Sequence, residues 1–155
     1  MKYLKYFESI NVIESPAYLV GDYNEVIDKL DDYLTELSDE GYSIHIGVDV
    51  LYLNGDKRVY NLRNIHNGKA YVAIGILINS IINLYPDPSE PSDGPFLEDK
   101  RLQDSNKVRD FLIVIFNRLN LGSNFGFMFI DTSMWMADRD RYTYRAFIWN
   151  KKPNS

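Results

Sequence analysis

The spacing of apolar residues changes at Gly41, and this change constrains the fold more than any other feature of the sequence. Between residues 22 and 41, apolar residues recur every three or four positions, as in an amphipathic helix. They are Val26, Ile27, Leu30, Tyr33, Leu34 and Leu37. Over residues 42–50, apolar and polar residues alternate, which is typical of a strand covered on one face. The chain therefore combines α and β structure.

The predicted first helix has start and stop signals. Asp22 and Glu25 lie three positions apart, so a side-chain oxygen at the N-cap and a carboxylate one turn later can accept hydrogen bonds from free amides. Gly41 can adopt the left-handed conformation that ends a helix. We therefore predict a helix that starts at Asp22 and stops at Gly41.

Two Asn-Gly pairs, at residues 54–55 and 67–68, predict turns after the first strand. The first pair suits a tight hairpin, which predicts a return strand over residues 57–63. Residues 71–78 follow the second pair and are rich in β-branched side chains, which predicts a buried strand. Residues 76–85 also fit a helix, and the pattern alone leaves this alternative open.

Residues 86–103 differ in composition from the rest of the chain. They are acidic and contain four of the six prolines, namely Pro86, Pro88, Pro91 and Pro95. Proline lacks an amide donor and its ring restricts the backbone, so this composition disfavours regular structure. The segment is therefore predicted to be a long loop between two half-units.

Helical spacing returns after the predicted loop. Asp104 or Ser105 is placed to cap a second helix, and Gly122 is placed to end it. The apolar positions of this helix are Val108, Phe111, Leu112, Ile115, Phe116 and Leu119. Alternating patterns over residues 125–130 and 141–149 then predict two further strands.

These elements predict an α+β fold, with an antiparallel sheet of four or five strands and two helices on one face. The order helix, strand, strand occurs twice, over residues 22–63 and 104–149, which indicates a repeated topological unit. We interpret residues 1–155 as a single domain, because a chain of this length can bury a core of its own.

Composition and charge exclude several classes of protein. The net charge of -5 disfavours a nucleic-acid partner held through its phosphates. The chain has no cysteine, which excludes disulfides, thiolate metal sites and a cysteine nucleophile. No apolar run reaches the roughly 18 residues of a membrane span, so we expect no membrane association. Residues 1–56 hold 12 acids and 3 bases, so the basic residues concentrate in the remainder of the chain.

The sequence favours a protein without catalytic activity, metal or cofactor. His45 and His66 are the two histidines available as general bases. Four residues of strand separate His45 from Asp49 by about 13 Å, which is too far for a catalytic dyad. The acidic residues of the first helix lack the spacing of a calcium or zinc site. No phosphate-binding loop or nucleophile elbow occurs.

Met134, Trp135 and Met136 are the strongest candidates for binding a partner. They are three large apolar residues in a loop between two predicted strands, where turn chemistry usually places polar residues. Methionine and tryptophan are enriched at protein interfaces. The sequence therefore predicts a protein-binding loop, with a second copy of the chain among the candidate partners, and the alternative is a lid that folds back onto the core.

A second candidate site is basic and aromatic. Arg139, Arg141, Tyr142, Tyr144 and Arg145 could neutralise and stack on a small anion such as a nucleotide. However, Tyr142 and Tyr144 share a strand face with Ala146 and Ile148, as core residues would. In that alternative, the arginines face solvent.

The first eight residues, Met1-Lys2-Tyr3-Leu4-Lys5-Tyr6-Phe7-Glu8, resemble the start of many small proteins of large tailed bacteriophages. They are also similar to the capsid-targeting peptides of phage internal head proteins, which a prohead protease cleaves. At the matching position, residues 12–14 have valine in place of isoleucine or leucine. The resemblance implies a phage-encoded protein of the host cytoplasm or the virion. With no catalytic motif, we expect a non-enzymatic protein that binds a host or phage protein.

Overall fold

Three helices and five strands form from the residues that the computed structural model describes, which are 18–55, 57–59, 68–83, 94–131 and 141–151. The helices are α1 (Tyr18–Tyr33), α2 (Thr35–Asp39) and α3 (Gly94–Leu119). The strands are β1 (Ser43–Asn54), β2 (Lys57–Arg58), β3 (Lys69–Asn83), β4 (Phe125–Asp131) and β5 (Arg141–Asn150).

All paired strands run antiparallel, in the order β2-β1-β3-β5-β4. β3 lies at the centre because its β-branched residues suit a position that is buried from both sides. Val72, Ala73 and Ile74 are consecutive in β3, and each is at most 2% exposed. The α+β prediction with a five-stranded antiparallel sheet is confirmed.

The main core lies between the helices and one face of the sheet, which we call the helix face. Leu30 of α1, Leu37 of α2 and Leu112 of α3 pack there against Ile74 and Ile78 of β3. The shared apolar stripe of the three helices explains why they cover the same face. The prediction that the helices lie on one face is therefore confirmed.

The opposite side of the sheet, which we call the far face, has a smaller apolar cluster at one end. Its buried residues are Leu51, Leu53, Ala73, Phe147 and Trp149. The Arg58 guanidinium lies 4.7 Å from the centre of the Phe147 ring. The Trp149 ring covers Gly126, where a Cβ atom would come within 2.5 Å of the ring. A glycine is therefore required at this position of β4.

The first helix differs from its prediction at the start and in the middle. α1 begins at Tyr18, so Asp22 lies inside the helix and the predicted N-cap is wrong. Leu34 separates α1 from the short α2, while the Thr35 hydroxyl donates to the Asp31 carbonyl at 3.0 Å. Gly41 has φ 109°, which confirms the predicted left-handed stop.

The strands after β1 also differ from prediction. Gly55 has φ 63° in the predicted hairpin turn, but β2 contains only two residues, 57–58. The return strand predicted over residues 57–63 is therefore not present at residue 59, and residues 60–63 lie outside the described part of the chain. β3 extends to Asn83, so the strand interpretation is confirmed and the helical alternative from residue 76 is wrong over 76–83.

α3 starts ten residues earlier than predicted. It begins at Gly94, so residues 94–103 are helical and not part of a loop, and neither Asp104 nor Ser105 is a cap. Pro95 lies in the first turn, where no intrahelical amide bond is lost. At the other end, Asn120 has φ 53° and Gly122 has φ 98°, so the left-handed stop comes before the predicted glycine.

The order of the long strands is β1-β3-β5-β4. The repeated unit therefore contains different strands from the predicted one. In each half, a helix precedes two antiparallel strands, and the second strand lies inside. The inner strands β3 and β5 pair with each other. The second strand of the first unit is therefore β3 and not the predicted strand at 57–63.

One tyrosine hydroxyl joins α1 to the two central strands. The Tyr23 hydroxyl donates to the Val72 carbonyl at 2.7 Å and accepts from the Asn150 amide at 3.1 Å. The neighbouring pair, Ala73 with Trp149, is the last in the β3–β5 register at this end. The hydroxyl therefore satisfies two backbone groups where these strands separate.

We expect Tyr23→Phe to lower the free energy of unfolding by about 1–3 kcal/mol, because it leaves a buried carbonyl and an amide without this partner. Urea denaturation measures the loss. Tyr52→Phe is the matched control, since the half-buried Tyr52 makes no hydroxyl hydrogen bond to the described residues. Equal stability losses in the two variants would contradict the bridging role.

Candidate functional site

The outer edge of β1 is unpaired with any described strand along most of its length. On its inner side, β1 pairs with β3 from Ser43 to Leu53. On its outer side, β2 pairs only with Leu53 and Asn54, and the Val59 amide bonds to the Tyr52 carbonyl. No described strand pairs with the outer edge of residues 43–51. This edge therefore presents backbone donors and acceptors to its surroundings.

A groove of about 640 Å³ runs along this edge. Residues 44–49 of β1 all line it, with Asp31 of α1 on the helix face and Arg145 of β5 on the far face. Because Asp31 belongs to a helix that covers the helix face and Arg145 lies on the far face, the groove reaches around the edge of the strand. The backbone of β1 is therefore accessible from the groove.

Two paired glycines form the floor of the groove on the far face. Gly47 of β1 lies directly opposite Gly75 of β3. A Cβ atom at Gly75 would lie 3.2 Å from the Asp49 Cβ, which is closer than normal side-chain contacts. The absence of side chains at both positions leaves space between His45 and Asp49.

The polar residues around the glycine floor make local contacts. The His45 Nε2 atom lies 3.5 Å from the Ser43 hydroxyl oxygen, at the outer limit of a hydrogen bond. Asp49 accepts from the Val50 amide at 2.7 Å. Arg145 is half-buried and makes no hydrogen bond or ion pair to the described residues. In the register, Leu77 lies between His45 and Arg145.

The polar side chains of the groove do not form a serine–histidine–acid arrangement. A serine–histidine pair requires a short hydrogen bond and an acid that orients the histidine. The Ser43–His45 contact is long, and Asp49 lies two side chains further along the same face of β1. His66 lies outside the described residues. Within the described part of the chain, no three acidic or histidine side chains are placed to hold a metal ion.

A buried polar cluster lies on the helix face, next to the start of β1. The Asp104 carboxylate, 7% exposed, accepts hydrogen bonds from three hydroxyls. The Ser80 and Tyr144 hydroxyls donate to its Oδ2 atom at 2.5 Å each, and the Tyr42 hydroxyl donates to Oδ1. Asp104 thereby joins α3 to β3, to β5 and to the residue that precedes β1.

Burial raises the pKa of the Tyr42 and Tyr144 hydroxyls well above their ordinary value, and the hydrogen bond to Asp104 raises it further. Both tyrosines therefore stay protonated donors at neutral pH. The cluster connects three elements and Tyr42 and does not line the groove, so we assign it a structural role.

The residues of the predicted anion site do not form one surface. Tyr142 and Tyr144 are 6% and 0% exposed and lie in the core on the helix face. Arg145 lies on the far face, in the groove. The tyrosines therefore belong to the core, as the alternative interpretation holds, and cannot stack on a ligand bound by Arg145. Arg141 is the first residue of β5, and Arg139 lies outside the described residues.

Met134, Trp135 and Met136 also lie outside the described residues. They belong to the connection between β4 and β5, and β4 is the strand at the other edge of the sheet. Their role in binding a partner therefore stays a prediction.

The sequence contained signals for part of this site. The Asn-Gly turn predicts a partner for the outer edge of β1, and the shortness of β2 is what leaves that edge open. Asp104 lies four residues before Val108, so it continues the buried stripe of α3 by one turn. An acidic residue in an apolar stripe indicates that its side chain makes a buried polar contact. The pattern does not identify the residues that it contacts.

No helix in the described ranges combines the length and the apolar composition needed to cross a membrane. Comparison of the chain with protein-family models, curated proteins and solved structures finds no match.

Proposed function

We propose that this chain is a non-enzymatic binding protein that captures a partner protein by strand addition at the outer edge of β1. The observation that carries the proposal is the groove open to both faces along residues 44–49. A strand laid in this groove would hydrogen-bond to backbone groups that no described strand pairs with.

The groove also offers contacts that select a partner. On the helix face, Ile44 and Ile46 are half-buried and pack at the margin of the core, so apolar side chains of an added strand would extend that core. On the far face, His45, Asp49 and Arg145 surround the glycine floor and would meet polar or charged side chains. Alternating apolar and polar residues in the partner are therefore expected.

The N-terminal resemblance to tailed-phage proteins supports a host or phage protein as the partner, in the host cytoplasm or the virion. In that setting, the protein would inhibit a host or defence factor or form a minor part of the virion. Binding through Met134, Trp135 and Met136 is an independent prediction.

A pull-down from host lysate that also contains the untagged chain tests the proposal with four tagged proteins. Ile46→Lys places a charge at the open edge, which disfavours strand addition. Val114→Lys is the matched control, because Val114 is 54% exposed on α3, away from the groove. Trp135→Ala tests the loop. We expect wild type, Val114→Lys and Trp135→Ala to retain the partner and Ile46→Lys to lose it while still unfolding in one cooperative transition. Retention by Ile46→Lys would refute the proposal, and loss only in Trp135→Ala would assign binding to the loop.

Arg145 supports one second candidate, the binding of a small anion such as a nucleotide. It is half-buried in the groove and lacks an ion pair within the described residues. An anion present at 100 times its Kd would stabilise the fold by about 2.7 kcal/mol. A melting-temperature increase with a nucleotide panel, abolished in Arg145→Ala, would support this function. No shift with any nucleotide would remove it.

A further inference from the structure

The β1 edge is complementary to itself, and from this we infer that its partner is a second copy of the same strand. The inference rests on the proposed function and names its occupant. When two copies of a strand pair antiparallel and form one continuous sheet, the two side chains of each opposite residue pair must point to the same face. The two-fold axis that relates the copies must therefore pass beside a residue that lies opposite its own copy. We place this central residue at Gly47.

With Gly47 opposite its own copy, the helix face carries only apolar pairs. Ile46 then lies opposite Val48, and Ile44 lies opposite Val50. Val48 is 4% exposed and Val50 is 9% exposed, whereas Ile44 and Ile46 are half-buried. Pairing would cover these two isoleucines and join the two main cores into one apolar layer.

The far face carries complementary polar side chains in the same register. His45 of each copy lies opposite Asp49 of the other, so the dimer contains two imidazole–carboxylate pairs. Gly47 lies between these pairs and adds no side chain, so both pairs can approach across the axis. If the centre moved to Ile46 or Val48, neither His45 nor Asp49 would lie opposite the other, and one of them would face Gly47. The charge pattern therefore selects the register centred on Gly47.

Engineered cysteines test this register directly, since the chain has none of its own. Directly opposite residues of antiparallel strands have Cα atoms about 4.5–5.5 Å apart, within disulfide range. We expect a mixture of His45→Cys and Asp49→Cys proteins to form a disulfide-linked heterodimer under mild oxidation. Either variant alone should form none, because like residues lie about 13 Å out of register. Asp110→Cys, on the exposed surface of α3, is the control partner for His45→Cys.

Sedimentation equilibrium tests the charge pairs in the otherwise native chain. Wild type should form a dimer in a concentration-dependent manner. His45→Asp places two acids opposite each other and should raise the dimer dissociation constant by about tenfold. The double variant His45→Asp with Asp49→His restores opposite charges and should return the constant towards that of wild type.

A chain that stays monomeric at all concentrations, with no heterodimer formed by the cysteine mixture, would overturn self-pairing. A dimer that is insensitive to His45→Asp would overturn it too, because that dimer would use another surface. Strand addition itself is judged separately by the pull-down. Loss of a captured host protein in Ile46→Lys, with a monomeric wild type, would retain strand addition while removing the second copy.

Discussion

Asp104→Ala should lower the free energy of unfolding by about 3–5 kcal/mol, which is a large part of the roughly 5–15 kcal/mol available to a domain. Its carboxylate accepts three hydroxyl hydrogen bonds, and the substitution leaves Ser80, Tyr42 and Tyr144 without that acceptor. Each bond to a charged group contributes about 1.5–3 kcal/mol, although relief of the buried charge offsets part of the sum. For a chain of this length, we expect the melting temperature to fall on the order of 10 °C.

The control for this prediction is Asp110→Ala on the same helix. The Asp110 side chain is 69% exposed, and its contact with Arg109 is a surface ion pair. Such pairs contribute little, so the change in stability should stay within about 0.5 kcal/mol. Equal melting temperatures for the two alanine variants would show that the Asp104 cluster does not hold α3, β3, β5 and Tyr42 together.

Stability should fall steeply as the pH rises above 10, and the same cluster is the cause. Tyr42 and Tyr144 ionise near pH 10 in the unfolded chain, whereas burial and the hydrogen bond to Asp104 raise their pKa in the folded chain. The folded state therefore binds more protons above pH 10. This contribution to stability is complete below pH 10 and is lost as the pH rises towards the raised pKa values.

Two such groups give a slope of up to about 2.7 kcal/mol per pH unit, which amounts to about 2–3 kcal/mol lost between pH 9 and pH 11. Urea denaturation at pH 8, 9, 10 and 11 measures the slope, and Tyr42→Phe should halve it. Absorbance at 295 nm offers a second reading, because these two tyrosines should ionise only on unfolding. A slope that Tyr42→Phe leaves unchanged would assign the alkaline loss to other groups.

The sequence correctly predicted the elements whose patterns are contained within one helical turn or one strand. Gly41 adopts the predicted left-handed conformation, and β4 and β5 occupy their predicted runs. The predicted start of α3 was wrong because its first residues are acidic and include Pro95, which is typical of a loop. Proline is also tolerated in the first turn of a helix. Composition does not distinguish these two cases.

The candidate site depended on long-range contacts that pattern alone does not encode. The Asn-Gly turn after β1 correctly predicts a hairpin, but not that β2 pairs with only two residues. Tyr142 and Tyr144 occupy alternate positions of β5, on the face that the pattern predicts to be buried. Arg145 points to the other face and lines the groove. That Gly47 lies opposite Gly75 follows from the β1–β3 register, which neither strand specifies by itself.

Site-resolved amide hydrogen exchange along β1 tests the central claim, that this edge is open for strand addition. The measurement uses the His45→Asp variant at low concentration, so that the chain is monomeric. In an edge strand, alternate amides point away from the sheet. An open edge predicts fast exchange at every second residue of 43–51 and slow exchange at the residues between them, which bond to β3. Uniformly slow exchange across 43–51, matching that of β3, would show that the edge is already covered and would contradict the account.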